Sequence, residues 1–258
     1  MKVNPKSEML RRAMSDFWWT PDIVSVLDED LATITHCPID ERIFNQVVPH
    51  APIPQTKQFI ERIAELHPGV SRWVCTEVCD HGLFSLLQRY GYKAEEEHGG
   101  FVVDVNSLGD TETDFSIWTV KNMTAMKRMY ELRIDIFGGI FPSNEEQLAF
   151  ELAHCTGEKP KVDRFVAEIN GVLAGTGSIT YFENLNFAFI WAGGVKEDFR
   201  GRGLYKALLS ARAQSCRDRG IQYMGLYARD NTSAPIVASQ GFEKVGTMVS
   251  YERTSAPK

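Results

Sequence analysis

The segment from Val195 to Leu204 holds the residues whose types and spacing point most clearly to chemistry. A strand-like run ends at Val195, residues 200–203 read Arg-Gly-Arg-Gly, and helical spacing begins at Leu204. Glycines let backbone N–H groups come close to a bulky anion, and the positive end of a helix favours negative charge. Arg200 and Arg202 add positive charge. The segment predicts a cradle for phosphate groups, although it is neither a Gly-Lys-Ser/Thr P-loop nor a G-x-G-x-x-G turn.

A second group of reactive side chains, Cys75, Cys79 and His81, could bind a metal, with His36-Cys37 as a further pair. The spacing is not that of common zinc sites, which repeat C-x2-4-C or follow it with paired histidines. Cys75 also falls in an apolar run at 73–78, where buried thiols are ordinary. We therefore predict no metal site.

Hydrophobic spacing places the 200–203 turn inside a regular series of elements. Asn170-Gly171 between two apolar runs predicts a β-hairpin, because both turn positions favour positive φ. Ser143, with Glu146 three residues later, is a candidate helix N-cap. The predicted order is a strand at 115–120, helices at 123–137 and from Ser143 through Cys155, strands at 165–169, 172–175 and 186–195, a helix at 204–219, a strand at 221–228, a helix at 232–239 and a strand at 242–252. This order predicts an α/β protein of the α+β kind, with a mixed sheet and helices on its faces.

The first half of the chain shows a shorter version of the same order. Its predicted elements are strands at 32–36 and 44–48, a helix at 55–67, a strand at 73–78, a helix at 83–90 and a strand at 101–105. A polar stretch at 106–111 is the predicted boundary, giving an N-terminal lobe at 1–110 and a second domain at 111–258. The aromatic cluster at 17–19 is interpreted as packing, with a role above an acceptor pocket as the alternative.

Composition narrows the class of protein. Of the 258 residues, 43% are hydrophobic and 24% charged, which is typical of a folded globular chain. The net charge of −6 disfavours nucleic-acid binding, which depends on Lys and Arg contacts to phosphates. No apolar run approaches the ~18 residues of a membrane-spanning helix, and the N-terminal residues do not form a secretory signal. Five cysteines without framework spacing fit reduced thiols, so we expect a cytoplasmic protein without membrane or nucleic-acid partners.

Residues 111–253 resemble the GNAT superfamily of N-acetyltransferases. Val195 and residues 200–204 match its acyl-CoA signature R/Q-x-x-G-x-G/A, and residues 221–242 match its second conserved segment. The resemblance implies a GNAT acyl-CoA N-acyltransferase fold with a partial GNAT-like N-terminal lobe, which lacks an R-G-x-G of its own. It also implies acetyl-CoA as co-substrate, with Val195 pairing with the pantetheine arm and Asn231 beside it. The pyrophosphate would lie on the amides of Arg200, Gly201, Arg202, Gly203, Leu204 and Tyr205.

Two departures from the family pattern concern catalysis. Tyr205 stands where Gly or Ala is usual, which crowds the helix start, and Val237 stands where many members carry the tyrosine that protonates the leaving thiolate. Tyr227 is the nearest tyrosine in sequence and becomes the candidate acid, with water as the alternative because thiols are acidic enough to leave unaided. Glu183, in the turn before strand 186–195, becomes the candidate base. Two carboxylates of the helix at 123–137, Glu131 and Asp135, could bind a cationic acceptor or be simple surface charges.

These observations predict an N-acetyltransferase that moves an acetyl group from acetyl-CoA to a primary amine of a small molecule by direct transfer. A neutral amine would attack the thioester, a strand N–H would hold the oxyanion, and the protein would be a monomer or homodimer. Two alternatives remain open. One is a non-catalytic CoA-binding or interaction module, and the other is an aminoacyl- or long-acyl-transferase on the same scaffold.

Overall fold

The computed structural model of the chain describes residues 4–53, 56–109, 115–138 and 145–254. The α-helices in this part are α1 Pro5–Met14, α2 Thr56–Leu66, α3 His81–Arg89, α4 Met123–Phe137, α5 Glu145–Ala153, α6 Leu204–Asp218 and α7 Ser233–Ser239. The strands are β1 Ser25–Asp28, β2 Ala32–His36, β3 Gln46–Pro49, β4 Ser71–Thr76, β5 Lys93–Asp104, β6 Ser116–Thr119, β7 Val162–Ile169, β8 Val172–Phe182, β9 Phe187–Val195, β10 Tyr223–Arg229 and β11 Glu243–Arg253.

The chain divides into two compact units that are not contiguous in sequence. The first unit takes its residues from 1–101, 227–238 and 244–258, and the second from 102–226 and 239–243. The end of the chain, including most of β11, therefore belongs with the N-terminal half. The predicted division at residue 110 stays a prediction, and part of its polar boundary at 106–111 lies outside the described residues.

In the first unit the strand order is β1-β2-β3-β4-β11. β3 and β4 run parallel and pair at only two positions, Gln46 with Arg72 and Val47 with Trp73, whereas β11 pairs with β4 in antiparallel fashion. The apolar stripe of α2 and the buried face of α3 pack around Trp73. The core they form contains Ile34, Val47, Ile60, Ile63, Leu83 and Leu87, each at most 3% exposed.

In the second unit the strand order is β6-β7-β8-β9-β10. The pairings of β6, β7, β8 and β9 are antiparallel, and β10 joins β9 in parallel. The predicted β7–β8 hairpin is confirmed: Asn170 and Gly171 form its turn, with φ of 50° and 81°. The helices α4 and α6 pack against β8 and β9 and so frame the site described below.

Local signals explain where several helices begin. The side chain of Asn122 accepts a hydrogen bond from Ala125 N at 2.9 Å, and that of Asp80 accepts one from Leu83 N at 2.8 Å. Both satisfy N–H groups that a first helical turn leaves without an acceptor. At α1, Asn4 caps the helix and Pro5 occupies its first turn.

The predicted mixed α/β architecture is confirmed. The strands and helices predicted from spacing lie at or within a few residues of the observed ones, except that β5 begins eight residues earlier and β8 ends seven residues later than predicted. Two elements were missed. α1 has few apolar residues, although its Asn-Pro start was a usable signal. β1 is an edge strand exposed at every position, so it carries no alternation. The candidate N-cap Ser143 lies outside the described residues.

The aromatic cluster at 17–19 contributes to packing within the first unit. Phe17 is buried with Val48, Val74 and Met248, and the Phe17 and Trp19 rings lie 6.1 Å apart. This agrees with the packing interpretation of the cluster. Among the helices in the described part of the chain, none combines the length and apolar character needed to cross a membrane.

Candidate functional site

The turn between β9 and α6 presents a helix N-terminus that no side chain caps. After β9 ends at Val195, a short 3-10 turn at Glu197–Phe199 leads to Gly203, the N-cap of α6. The N–H of Ala207 bonds to Gly203 O at 3.0 Å. The N–H groups before it in the first turn have no acceptor within the helix, as at any helix start. They form a ready anion site at the positive end of α6.

Gly201 and Gly203 are required here by backbone conformation. Their φ angles are +74° and +85°, in the left-handed region that costs other residues energy. A Cβ at either position would meet nothing within 4 Å, so crowding by the protein itself is not the reason for glycine. The two left-handed residues turn the chain from β9 into α6 and leave the space in front of the turn open.

Arg200 and Arg202 flank this turn on the exposed surface. The Arg200 Nε donates to Val195 O at 3.3 Å, and an Arg202 Nη donates to Asp198 O at 3.1 Å. Both guanidinium groups keep further donors available, since each carries five N–H bonds. Their placement suits contacts to phosphate oxygens at the helix start.

β9 separates from β10 soon after the two strands begin to pair. The parallel register covers three residue pairs, from Phe187 with Tyr223 to Phe189 with Gly225. β9 then continues to Val195 while still paired with β8. Parallel strands that diverge in this way leave a slot along the edge of the longer strand, and that edge can pair with an extended ligand.

A β-bulge interrupts β9 within this slot. The β8–β9 register shifts between Thr176 and Ser178, so that Ala192 and Gly193 fall outside the residue-by-residue pairing. Ala192 has a φ of +47°, an uncommon value for a residue with a side chain. Bulges leave backbone groups unpaired and redirect side chains, and they are enriched next to active sites.

Adjacent glycines at the bulge show which helix covers each face of β9. A Cβ on Gly193 would lie 3.1 Å from the ring of Tyr205 on α6, and a Cβ on Gly194 would lie 2.6 Å from Ile136 Cγ2 on α4. α6 and α4 therefore lie on opposite faces of the strand. The contact also shows how Tyr205, unusual in the signature, is accommodated: its ring occupies the space above Gly193.

The α6 face contains a buried arginine. Arg212 is 1% exposed, its Nε donates to Leu208 O at 2.9 Å, and its guanidinium lies against Gly177. Burial lowers the pKa of Arg212, with the neighbouring Tyr205 acting in the opposite direction. Next to it, burial raises the pKa of Tyr181, whose hydroxyl donates to Asp163 at 2.9 Å.

The α4 face contains a group of charged and aromatic side chains. Arg164, 2% exposed, forms an ion pair with Glu151 of α5, and the Tyr130 hydroxyl donates to the same carboxylate. Burial raises the pKa of Tyr130 to about 12, so its hydroxyl stays protonated near neutral pH. Arg133 of α4 and Trp191 of β9 complete the group, and the two lie 5.7 Å apart from guanidinium carbon to ring centroid.

The predicted residues fall into three places. Val195 lies at the end of β9 and residues 200–205 lead into the start of α6, and their roles in binding stay a prediction. Asn231, exposed in the turn between β10 and α7, belongs to the first unit. Glu183 begins the 3-10 turn before β9, so the five strand residues 187–191 separate this turn from the bulge at Ala192, roughly 17 Å at ~3.3 Å per residue.

The surroundings of Tyr227 are those of a packing residue. It belongs to the first unit, where it packs against the cluster of Phe17, Val48, Val74 and Met248. Burial raises its pKa, and the carboxylate of Glu77 acts in the same direction. The packing and the raised pKa of Tyr227 do not favour proton transfer, so the acid role stays a prediction.

The structure also shows the surroundings of Glu131 and Asp135, the two α4 carboxylates considered as acceptor ligands. Asp135 forms an ion pair with Lys196 at 2.7 Å, and Glu131 is exposed.

The residues that sequence analysis missed are Arg133 and Trp191. Arg133 was visible only as a charged residue within the apolar stripe of α4, and an arginine inside such a stripe is the signal that could have found it.

The cysteine and histidine cluster near Cys75 does not assemble ligands. Cys75 is 2% exposed in β4, within the core of the first unit. Within residues 4–53, 56–109, 115–138 and 145–254, no group of three or more His, Cys, Asp or Glu side chains is placed to hold a metal ion.

Comparison with known proteins agrees with this geometry. The sequence profile described as "Acetyltransferase (GNAT) family" matches residues 126–242, which include β9, its turn and α6. No curated protein sequence matches the chain at a significant level.

Several solved structures share the fold over nearly the whole chain at low identity. A GCN5-related N-acetyltransferase from Kribbella flavida is 14% identical, with a TM-score of 0.70 over 100% of this chain and 97% of the other. A tandem GNAT protein from the clavulanic acid biosynthesis pathway is 12% identical, with a TM-score of 0.66 over 98% and 94%. A conserved protein of unknown function from Staphylococcus epidermidis is 17% identical, with a TM-score of 0.65 over 94% and 99%.

These findings confirm the predicted fold and the predicted resemblance to the GNAT family, and the profile match supports acyl transfer from an acyl-CoA in general terms. The profile match covers the segment that carries the β9–α6 turn, and the structural likeness covers both units. Residues 126–242 match the acetyltransferase (GNAT) family, and the chain shares its fold with solved GNAT proteins.

Proposed function

We propose that this protein transfers an acetyl group from acetyl-CoA to the primary amine of a small molecule. One observation carries the proposal: the uncapped N-terminus of α6, reached through the left-handed Gly201 and Gly203, stands at the end of the strand edge that β10 leaves free. An anion site that directly follows an unpaired strand edge suits a ligand with a pyrophosphate at one end and an extended amide chain at the other.

The roles of the binding residues follow from their backbone groups. The N–H groups of Leu204 and Tyr205 would bind the pyrophosphate, with Arg200 and Arg202 adding charge-assisted hydrogen bonds. The backbone of Val195 would pair with an amide of the pantetheine arm. The role of Asn231 stays a prediction from the family resemblance, because Asn231 belongs to the first unit. Longer acyl-CoA and aminoacyl donors remain the second candidate, since the slot alone does not define the acyl group.

The bulge would supply the hydrogen-bond donor that direct transfer needs at the thioester carbonyl. Ala192 and Gly193 leave the β8 pairing, so a backbone N–H there can donate to an oxyanion that develops in the slot. An N–H held by the strand costs no reorganisation during the reaction. The amine must be neutral to attack, and the proton it loses after attack can pass to water. CoA leaves as its thiolate, which is a good leaving group and needs no acid.

The first test is binding of acetyl-CoA, measured by calorimetry on the full chain and on Gly203→Glu. The substitution places a side chain and a negative charge at the start of α6, so we expect micromolar binding to be lost. Gly220→Glu is the matched control, because Gly220 follows the C-terminal end of the same helix, has a φ of +69° and is equally open. It carries the same backbone strain away from the proposed site.

A turnover assay distinguishes an acetyltransferase from a protein that only binds CoA. Release of free CoA thiol with any amine in a panel supports the enzyme, whereas tight binding without turnover would favour the non-catalytic alternative. Failure of the unmodified protein to bind acetyl-CoA would overturn the proposal. Equal loss of binding in both glycine variants would also count against the α6 site.

A further inference from the structure

The charged group on the α4 face lies beside the proposed reaction centre. We name Arg133, Arg164, Glu151, Tyr130 and Trp191 the arginine–tryptophan cluster. Trp191 immediately precedes the bulge at Ala192 and Gly193. It donates from Nε1 to Thr180 Oγ1 at 3.0 Å, which fixes the indole on the same face of the sheet as Arg164.

The cluster holds more positive than negative charge. Glu151 is bound by Arg164 and by the Tyr130 hydroxyl, so its charge is already committed. Arg133 forms no ion pair within the described parts of the chain, residues 4–53, 56–109, 115–138 and 145–254. In the same part, the buried Nε and Nη1 of Arg164 have no hydrogen-bond partner. Two guanidinium groups thus share one carboxylate.

The geometry of Arg133 suits a ligand anion. Its guanidinium carbon lies 5.1 Å from the Tyr130 ring centroid and 5.7 Å from that of Trp191. The aromatic rings support the planar cation and restrict its motion. Arg133 also hydrogen-bonds to Tyr130, and a guanidinium carries five N–H donors, so others can bind a planar or tetrahedral oxyanion. Arg133 and Trp191 are half-buried, whereas Arg164 is 2% exposed, so these two form the accessible side of the cluster.

The helices on the two faces of β9 indicate from which side an acceptor would approach. The proposed pyrophosphate site is at the start of α6, and α6 covers one face of the strand. A donor threaded through the slot from that side would present its thioester toward the other face, where α4 and the cluster lie. The acceptor would therefore approach across Trp191 and Arg133.

We propose that the acceptor is an amine that also carries an anionic oxygen group, a carboxylate or a phosphate, and that Arg133 binds this group while Trp191 packs against the chain between the two. The inference rests on the proposed acyl transfer, since the cluster is assigned to its acceptor side. It differs from the alternative in which Glu131 and Asp135 bind a cationic acceptor. Asp135 forms an ion pair with Lys196, so its charge is balanced, and Glu131 is exposed.

The test compares anionic amines with their neutral partners in binding, before any turnover is considered. The probes are glycine, β-alanine and 4-aminobutyrate against their carboxamides, and phosphoethanolamine against ethanolamine. Calorimetry in the presence and absence of CoA gives each dissociation constant. We expect at least one anionic probe to bind at least ~10-fold more tightly than its neutral partner, as charge-assisted pairing to a guanidinium implies. Comparison of the carboxylate probes with the phosphate probe shows which of the two anionic groups the site prefers.

Variants of α4 assign the preference to one residue. Arg133→Met keeps the length of the side chain and removes the charge, and should abolish the anionic preference while the carboxamides bind as before. Arg133→Lys should restore part of it, because a lysine keeps the charge without the forked donors. Arg128→Met is the matched control, since Arg128 is exposed on the same helix, and it should leave the preference unchanged. Thermal unfolding of each variant checks that the fold is intact.

The outcomes separate this inference from the proposed reaction. Equal binding of anionic and neutral probes, no binding of any anionic probe, or a preference that survives in Arg133→Met would overturn the inference. Anionic binding through Arg133 without acetyl-CoA turnover would uphold it and overturn the acyl-transfer proposal. Efficient turnover of neutral or cationic amines, with no effect of Arg133→Met, would uphold acyl transfer and reject the anionic acceptor.

Discussion

Gly194 of β9 and Ile136 of α4 touch so closely that no side chain fits between them. A Cβ built on Gly194 would lie 2.6 Å from Ile136 Cγ2, which is shorter than real Cβ contacts. Cγ2 is a branch methyl held close to the helix backbone, so it has little freedom to move aside. The last turn of α4 is thereby fixed against the strand residue that follows the bulge, and the distance between helix and slot depends on this glycine.

Gly194→Ala should destabilise the protein by about 1–3 kcal/mol, the usual cost of overpacking a tight contact. Urea unfolding of the variant and the unmodified protein measures the difference. Gly109→Ala is the control, because a Cβ there meets nothing within 4 Å, and its effect should be below ~0.5 kcal/mol. Similar stability of the Gly194 and Gly109 variants would show that α4 can move away from β9.

Glu151→Gln should cost about 3 kcal/mol of folding free energy. The change removes the carboxylate with which the buried Arg164 forms its ion pair, and an uncompensated buried charge is expensive. The double variant Glu151→Leu with Arg164→Met should recover most of that loss, because it removes both charges together. Chemical denaturation of the single and double variants provides the comparison, and a double variant weaker than the single would contradict this account.

His67 should make the stability fall as the pH drops from about 6.5 to about 4. Burial lowers its pKa from 6.5 to about 4, and its Nε2 lies 2.8 Å from Thr35 O in the folded chain. Between these values the unfolded chain binds a proton that the folded chain does not, so the contribution is complete above pH 6.5 and is lost on acidification. The loss is on the order of 3 kcal/mol.

The variant His67→Gln isolates this contribution, since glutamine keeps a donor and does not titrate in that range. Unfolding free energies measured from pH 4 to pH 7 should be flatter for the variant than for the unmodified protein. Identical slopes for the two proteins would show that His67 titrates normally in the folded state.

Tyr227→Phe and Glu183→Gln should each change kcat by less than ~3-fold with the acceptor that is found. Tyr227 packs in the first unit with a raised pKa, and Glu183 lies at the far end of β9 from the bulge. A group that transfers a proton in the transition state usually contributes 10²–10⁴-fold. Steady-state kinetics decides the matter, and a loss of 100-fold in either variant would restore that residue as an acid or base.

Sequence patterns predicted the features that depend on neighbouring residues. The bounds of α4 follow from a cap at Asn122 and one apolar stripe, and the β7–β8 turn follows from Asn170-Gly171. The cradle at 200–203 was visible for the same reason: positive φ at Gly201 and Gly203 is a local requirement that only certain residues meet.

The features that were not predicted depend on pairing across the fold. The left-handed Ala192 arises from a register shift against β8, and an alanine gives no local signal for it. Arg133 and Trp191 are 58 positions apart in the sequence and meet only because α4 packs on β9. Likewise, the pairing of β11 with β4 joins residues separated by more than 160 positions.

That last pairing has a consequence for synthesis. β11 supplies residues Met248–Arg253 to β4, so the first unit lacks a strand until the ribosome has made residue 253. A nascent polypeptide emerging in order would expose the edge of β4, including Val74 and Cys75, throughout translation of the second unit. The sheet of the first unit can therefore be completed only after β11 has left the exit tunnel.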